Sequence, residues 1–357
     1  MYDLSFEQGE VIDIINQEGV VIFLWVKIPG KEKCKAVNYK SLTGVINIGD
    51  RVIVNTTAVE LGLGTGGYHF VVFNLKYLNI PDDDSNNISD FPGHIMKLRY
   101  TPFQIKTLCA EEQSSLYHEE INKFKSLSGI PVVILPLHSL LAPLSITYRN
   151  FYPDKRVVYI MSEGGSLALD FSILARDLIS KGYIDKTITY GNAFGGDFET
   201  VNIFTALAVA YQVVRADLII VGMGPGIVGT STKYGFSGVE NAFIEKAVKI
   251  LNGKSIYVPR ISFADQRKRH FGISHHSLTL LKDLISNPLE LAFPDHEYLR
   301  EQINKNSLGS KHQIDYYSIN EVKTILEHSS FPFNSMGRSL EDDPLFFITA
   351  GLAVYKL

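Results

Sequence analysis

Along residues 1–80 the apolar positions come in short alternating or β-branched runs, "GEVIDII", "GVVIFLWVKI", "CKAVNY", "GDRVIVNTT" and "YHFVVFNL", separated by Gly, Asn and Pro. Alternation with a period of two puts one set of side chains on one face of a strand. The segment therefore predicts a small N-terminal β-barrel. "GLGTGG" at 62–67 lies between two of these runs with no helix following, so it reads as a hairpin connection rather than a phosphate cradle. Trp25, the single tryptophan, is assigned to the core.

"NIPDDDSNNISDFPG" at 79–93 disfavours both helix and strand and marks a domain boundary, giving a barrel domain over 1–80 and a second domain over 94–357. Beyond it the pattern changes to continuously apolar runs, each followed by a helix-length stretch. "IMKLRYT" precedes "EEQSSLYHEEINKF", "IPVVILPL" precedes "SLLAPLSITYRNF", and "KRVVYIM" precedes "SLALDFSILARDLISKG". "KTITYG" then precedes "FETVNIFTALAVAYQVV", "ADLIIVG" precedes "GVENAFIEKAVKIL", and "GKSIYVP" precedes "SHHSLTLLKDLI". Such alternation is the signature of a parallel sheet covered on both faces. The fold class is thus α/β: a small barrel followed by a doubly wound, mostly parallel, Rossmann-like sheet domain. "HQIDYYSI" and "NEVKTILEH" add a late strand and helix, and "EDDPLFFITAGLAVY" predicts a final helix with Asp343 as N-cap and Pro344 in its first turn.

Charge narrows the partners. The 357 residues carry 34 Lys and Arg against 38 Asp and Glu, a net charge of -4, so no global positive field attracts nucleic acid or an anionic membrane. Residues 1–78 show no stripe of basic and aromatic residues, which argues against RNA on the barrel. The start lacks the basic and apolar regions of a secretory signal, and the longest apolar stretch, 130–147, is broken by Pro131, Pro136, His138 and Pro143. Cys34 and Cys109 fit no metal or redox spacing and read as reduced thiols. A cytoplasmic location is expected, and association into a homo-oligomer stays open.

In a parallel α/β sheet the loops after the strands leave one edge, where ligands bind. Those loops concentrate glycines, hydroxyls and charge. "SEGGS" offers Ser162, Gly164, Gly165 and Ser166, whose backbone N–H groups could meet an anion, with Ser166 alternatively an N-cap. "GNAFGGDFET" offers Gly195, Gly196 and Asp197; "GMGPGIVGTST" offers Gly224, Gly226, Gly229 and Thr230. The latter departs from GxGxxG, and no acidic residue closes the next strand, so no dinucleotide is assigned and the cofactor is left unknown. "LHS" supplies His138 and Ser139.

The densest polar stretch is "RISFADQRKRHFGISHHS" at 260–277. Lys254, Arg260, Arg267, Lys268 and Arg269 outweigh Asp265 there, and the planar guanidinium fork suits phosphate or carboxylate. Arg260, Arg267 and Arg269 are the expected anion ligands. Asp265, His270 and His275 are the expected acid, base and orienting groups, because imidazole titrates near neutrality and a carboxylate can fix its tautomer. His270 and one of His275 and His276, with Asp197 or Glu199, could recruit an ion; without HxH, HxxxH or HExxH spacing no metal is assigned. "NSMGRSLEDDP" at 334–344 reads as a surface loop or a lid.

"VINIGDRVIVNTTAVELGLGTGGYHFVV", "GMGPGIVGTSTKYGFSG", "ADQRKRHFGISHHS" and "SMGRSLEDDPLFF" together resemble a bacterial family known as domain-of-unknown-function family 3866. The resemblance spans nearly the whole chain and implies a bacterial cytoplasmic protein; it transfers no catalytic residue. The residues themselves point to an enzyme, a transferase or hydrolase, acting on a small phosphorylated or otherwise anionic metabolite. The alternative is a non-catalytic sensor of such a metabolite, its barrel contacting a partner.

Overall fold

A computed structural model describes residues 3–79 and 92–357; most of the predicted boundary at 79–93 lies outside the described residues. The chain divides into two compact units, Met1–Thr107 and Leu108–Leu357.

In the first unit β1 (Phe6–Glu18), β2 (Val21–Lys27), β3 (Lys33–Tyr39), β4 (Arg51–Asn55) and β5 (His69–Asn74) close a barrel in the order β1-β2-β3-β5-β4. Single helical turns α1 (Lys40–Thr43) and α2 (Thr57–Glu60) interrupt it. β3 and β5 pair in parallel and the other pairs are antiparallel. Register shifts at Val11/Asp13 and Ile14/Asn16 accompany the bend of β1. Inward positions of the alternating runs, among them Leu24, Val26, Ala36 and Val54, form the core. Trp25 takes the opposite parity: it is only half-buried, and Lys33 Nζ lies 4.3 Å from its ring centroid. The core assignment of Trp25 is corrected, since a residue flanked by inward Leu24 and Val26 must point out. Lys35 reaches both Trp25 and Tyr68, so an aromatic and basic cluster that was not apparent in the linear sequence does form. "IMKLRYT" contributes β6 (Ile95–Lys97), which pairs antiparallel with β7 (Ile105–Thr107) in this unit and does not join the parallel sheet.

The second unit begins with α3 (His118–Asn122), then β8 (Pro131–Leu135), α4 (Leu141–Phe151), β9 (Val157–Ser162), α5 (Ile173–Ser180), β10 (Lys186–Tyr190), β11 (Phe198–Thr200) and α6 (Ile203–Ala208). It continues through β12 (Leu218–Met223), α7 (Glu240–Ile250) and β13 (Lys254–Tyr257). These strands form one six-stranded sheet in the order β11-β10-β9-β12-β8-β13, every pair parallel. β9 and β12 are buried at all positions, as continuous apolar runs require when helices cover both faces. α4, α5, α10 (Asn320–His328) and α11 (Pro344–Leu352) pack on one face; α6 and α7 pack on the other.

Beyond the sheet come the two-residue strands β14 (Ile261–Ser262) and β15 (Gly272–Ile273), α8 (His275–Thr279), β16 (Glu290–Pro294), α9 (Glu297–Lys305) and β17 (Gln313–Tyr317). β17 pairs in parallel with β16 as a separate ribbon rather than extending the main sheet. No helix among the described residues is long and apolar enough to cross a membrane.

Candidate functional site

Because the sheet is parallel, the loops after β9, β12, β8 and β13 leave the same edge. β8 exits toward α4 on one face and its neighbour β12 exits toward α7 on the other, which opens a crevice between their carboxyl ends. A cavity of about 420 Å³ lies there, with Leu137, His138, Met223, Gly226, Ile227 and Met336 in its wall. His138 is held at both ring nitrogens: Nδ1 lies 3.2 Å from the Met223 carbonyl and Nε2 lies 2.5 Å from Ser172 Oγ. Burial lowers its pKa to about 4, so it is neutral at pH 7.

Next to this cavity is an ionic cluster built on the buried Arg260, Asp265 and Asp343. Arg260, 3% exposed, follows β13 and donates to Asp265 Oδ2 at 3.0 Å. Arg267 grips the same carboxylate through Nε at 2.9 Å and Nη2 at 2.7 Å. Arg338, from the C-terminal segment, approaches Asp265 at 3.8 Å and Asp343 at 3.5 Å. The Arg267 hydrogen bonds hold Asp265 well below the usual carboxylate range, and burial lowers Arg260 to about 10, still charged at pH 7. Met336 joins cluster and cavity, its sulfur 3.7 Å from Arg260 Nη2 while its side chain lines the cavity. Arg260 Nε and both Arg338 Nε and Nη2 are buried donors with no hydrogen-bond partner among the described residues.

The glycine loops pack against each other. Ser166 N–H donates to the Pro225 carbonyl at 2.7 Å, and a Cβ on Gly165 would sit 2.3 Å from the Gly224 oxygen, a contact only glycine permits. The Ser166 amide is thus already used, and Ser172, not Ser166, caps α5. Ser162 Oγ donates to Glu240 Oε1 at 2.5 Å; burial raises the pKa of Glu240 to about 7, partly offset by that bond. Gly164 lies against the same Glu240 carboxylate.

His270, His275 and His276 form a second cluster, their ring centroids 4.2–5.1 Å apart. His270 Nδ1 pairs with Ser274 Oγ at 2.7 Å, not with Asp265. Burial, reinforced by nearby arginines, pushes His270 and His276 down to about 3 and lowers His275. Gly229 lies on the His276 ring and Phe236 stacks on it with centroids 4.0 Å apart.

A sequence model of the family described as Protein of unknown function (DUF3866) matches residues 35–354, from within β3 to just past α11. The chain belongs to that family. No curated protein matches it.

In this DUF3866 member the crevice and its basic wall gather Gly224, Gly226, Arg260, Asp265 and Arg267, with His270, His275 and Gly229 close by in the 260–277 hairpin and the loop packed on it. Exposed Thr230 bonds within its own loop, to Thr232 and Gly235, and exposed Arg269 acts on His275 through its charge. Gly195, Gly196 and Asp197 are placed differently. β11 runs parallel to β10, so the chain must double back, and Asp197 ends beside the start of β10, where Lys186 and Thr187 bind it. Gly195 and Gly196 donate to Glu199 and Thr189 in that same turn. Lys254 opens β13 at the far edge and pairs with Glu290. Asp343 does not cap α11 through its side chain, which accepts from Ser262 Oγ and Phe263 N. Met336, Ser172 and Glu240 stand alone among ordinary residues in the sequence and carry no site signal there; Arg338 is visible, with Glu341 and Asp342, in the loop-or-lid stretch "NSMGRSLEDDP".

Proposed function

We propose that the protein is an enzyme acting by hydrolysis or group transfer on a small phosphorylated or carboxylated metabolite bound at the carboxyl ends of β12, β8 and β13. The observation that carries this reading is the set of buried donors on Arg260 and Arg338 that make no hydrogen bond among the described residues, the two on Arg338 reaching carboxylates only at ion-pair distances of 3.5 and 3.8 Å, beside an apolar cavity. Each such donor costs roughly 1–3 kcal/mol unless something accepts from it, and an anion would satisfy several at once. Arg260, Arg267 and Arg338 exceed Asp265 and Asp343 by one charge, which favours an anionic group.

The ligand's uncharged part would lie against Met223, Ile227 and Met336. Asp265 sets the guanidinium forks and moves no proton in this reading. His138, neutral and on the cavity wall, has its one acceptor nitrogen, Nε2, on the Ser172 hydroxyl while Nδ1–H donates to the Met223 carbonyl, so in this reading it takes a proton by way of Ser172 Oγ.

A thermal-shift panel of nucleotides, sugar phosphates and polycarboxylates tests it. At least one anion should raise the melting temperature, and Arg338→Ala should remove most of that shift. No stabilising anion, or a shift indifferent to Arg338→Ala, overturns the proposal.

A further inference from the structure

We propose that His270, His275 and His276 bind a divalent transition-metal ion of the zinc class, leaving one coordination position open. One ring nitrogen from each lies within 4.8 Å of the others. His275 Nε2 and His276 Nδ1 are buried with no hydrogen-bond partner among the described residues, and His276 is 8% exposed. No hydrogen bond joins any two of the rings. Three packed imidazoles with unused nitrogens form a poor hydrogen-bonded core and a good ligand set.

The supports are those a metal site needs. Ser274, the N-cap of α8, occupies His270 Nδ1 and leaves Nε2 for an ion, fixing the ring as outer partners of metal-bound histidines do. Phe236 lies nearly parallel to His276, at 8°, on one face, and Gly229 packs close enough that a Cβ would come within 3.3 Å of its Cε1. α8 delivers His275 and His276 from its first turn, so backbone geometry sets two of the three ligands.

Ligand chemistry selects the ion. Zinc–imidazole bonds of about 2.0–2.1 Å place tetrahedral ligand nitrogens roughly 3.3 Å apart, so the rings close by at most about 1.5 Å through side-chain rotation. An all-nitrogen set suits zinc, cobalt or iron and disfavours magnesium and calcium, which want oxygen. Arg260, Arg267 and Arg269 act on the same rings and oppose a bare dication. An anionic fourth ligand, hydroxide or an oxygen of a bound anion, offsets that repulsion.

This goes beyond the anion site and stands without it, because the three histidines can hold an ion whether or not Arg260 and Arg338 hold an anion. The test uses the full chain, stripped with a chelator and titrated with cobalt alone and zinc alone. Metal content after dialysis should be about one per chain, and cobalt should give a visible absorption band. His275→Ala and His276→Ala should each weaken binding at least tenfold, while exposed His328→Ala leaves it unchanged. Should buried His276→Ala fail to fold, half-buried His275→Ala decides alone. A wild-type chain that keeps no ion, or a folded His275→Ala variant that binds like wild type, overturns the inference.

Discussion

Asp265 is bound by two arginines and approached by a third, so its charge organises the basic wall beside the cavity. Asp265→Asn would leave the buried Arg260 guanidinium without its counter-charge, and a loss of about 3 kcal/mol is expected in urea unfolding at pH 7. A loss under about 0.5 kcal/mol would show that the cluster does not depend on it. Glu240 gives a pH signature. Its pKa rises from an ordinary 4.5 to about 7, so the folded state holds the proton more tightly than the unfolded chain. The associated stability is fully present below about pH 4.5 and is lost as pH rises through 7, by at most about 3 kcal/mol. Unfolding at pH 5 and pH 8 should show that decline in the wild type and a flatter profile in Glu240→Gln. At this scale the sequence was legible where charge clusters along the chain, as for Arg260, Asp265 and Arg267. It was silent on Glu240 and showed Arg338 only within the loop-or-lid stretch "NSMGRSLEDDP", because their roles arise from partners 78 and 73 positions away, at Ser162 and Asp265 respectively.

At the scale of elements, the crevice depends on two loops fitting backbone to backbone. Gly165→Ala would push a methyl group into the Gly224 carbonyl and should destabilise by about 1–3 kcal/mol. It should also weaken any ligand of the cavity, which Gly224 and Gly226 help to line. Ser172 both caps α5 and holds His138 Nε2, so Ser172→Ala should cost about 1 kcal/mol by thermal unfolding. If His138 is the proton acceptor, turnover should fall further than stability. The central strands were readable because burial on both faces demands unbroken apolar runs such as "VVYIM" and "LIIV". β11 was not: three residues, "FET", at the edge of the sheet carry no such run and merge in the sequence with the helical stretch that follows. β6 misled for the opposite reason, since an apolar "IMKL" satisfies a small hairpin as well as a sheet strand.

For the whole molecule, two units with separate cores account for the change of pattern along the chain. Residues 108–357 contain the entire parallel sheet and the helices on both faces, so expressed alone they should give a helical spectrum and a single cooperative melt. A non-cooperative melt would show that the sheet cannot stand without the first unit. The overall class, barrel then parallel α/β, followed from a period of two giving way to strand and helix alternation. Trp25 escaped that reading because composition cannot tell which parity of a strand faces inward. The central claim is that an anion is held by Arg260, Arg267 and Arg338 beside the crevice of β8 and β12. Anomalous diffraction from crystals soaked in tungstate, a heavy tetrahedral anion, tests it most directly. A peak within hydrogen-bonding distance of Arg260 Nε and Arg338 Nη2 is the expected result; tungstate bound only elsewhere, with that wall empty, would contradict it.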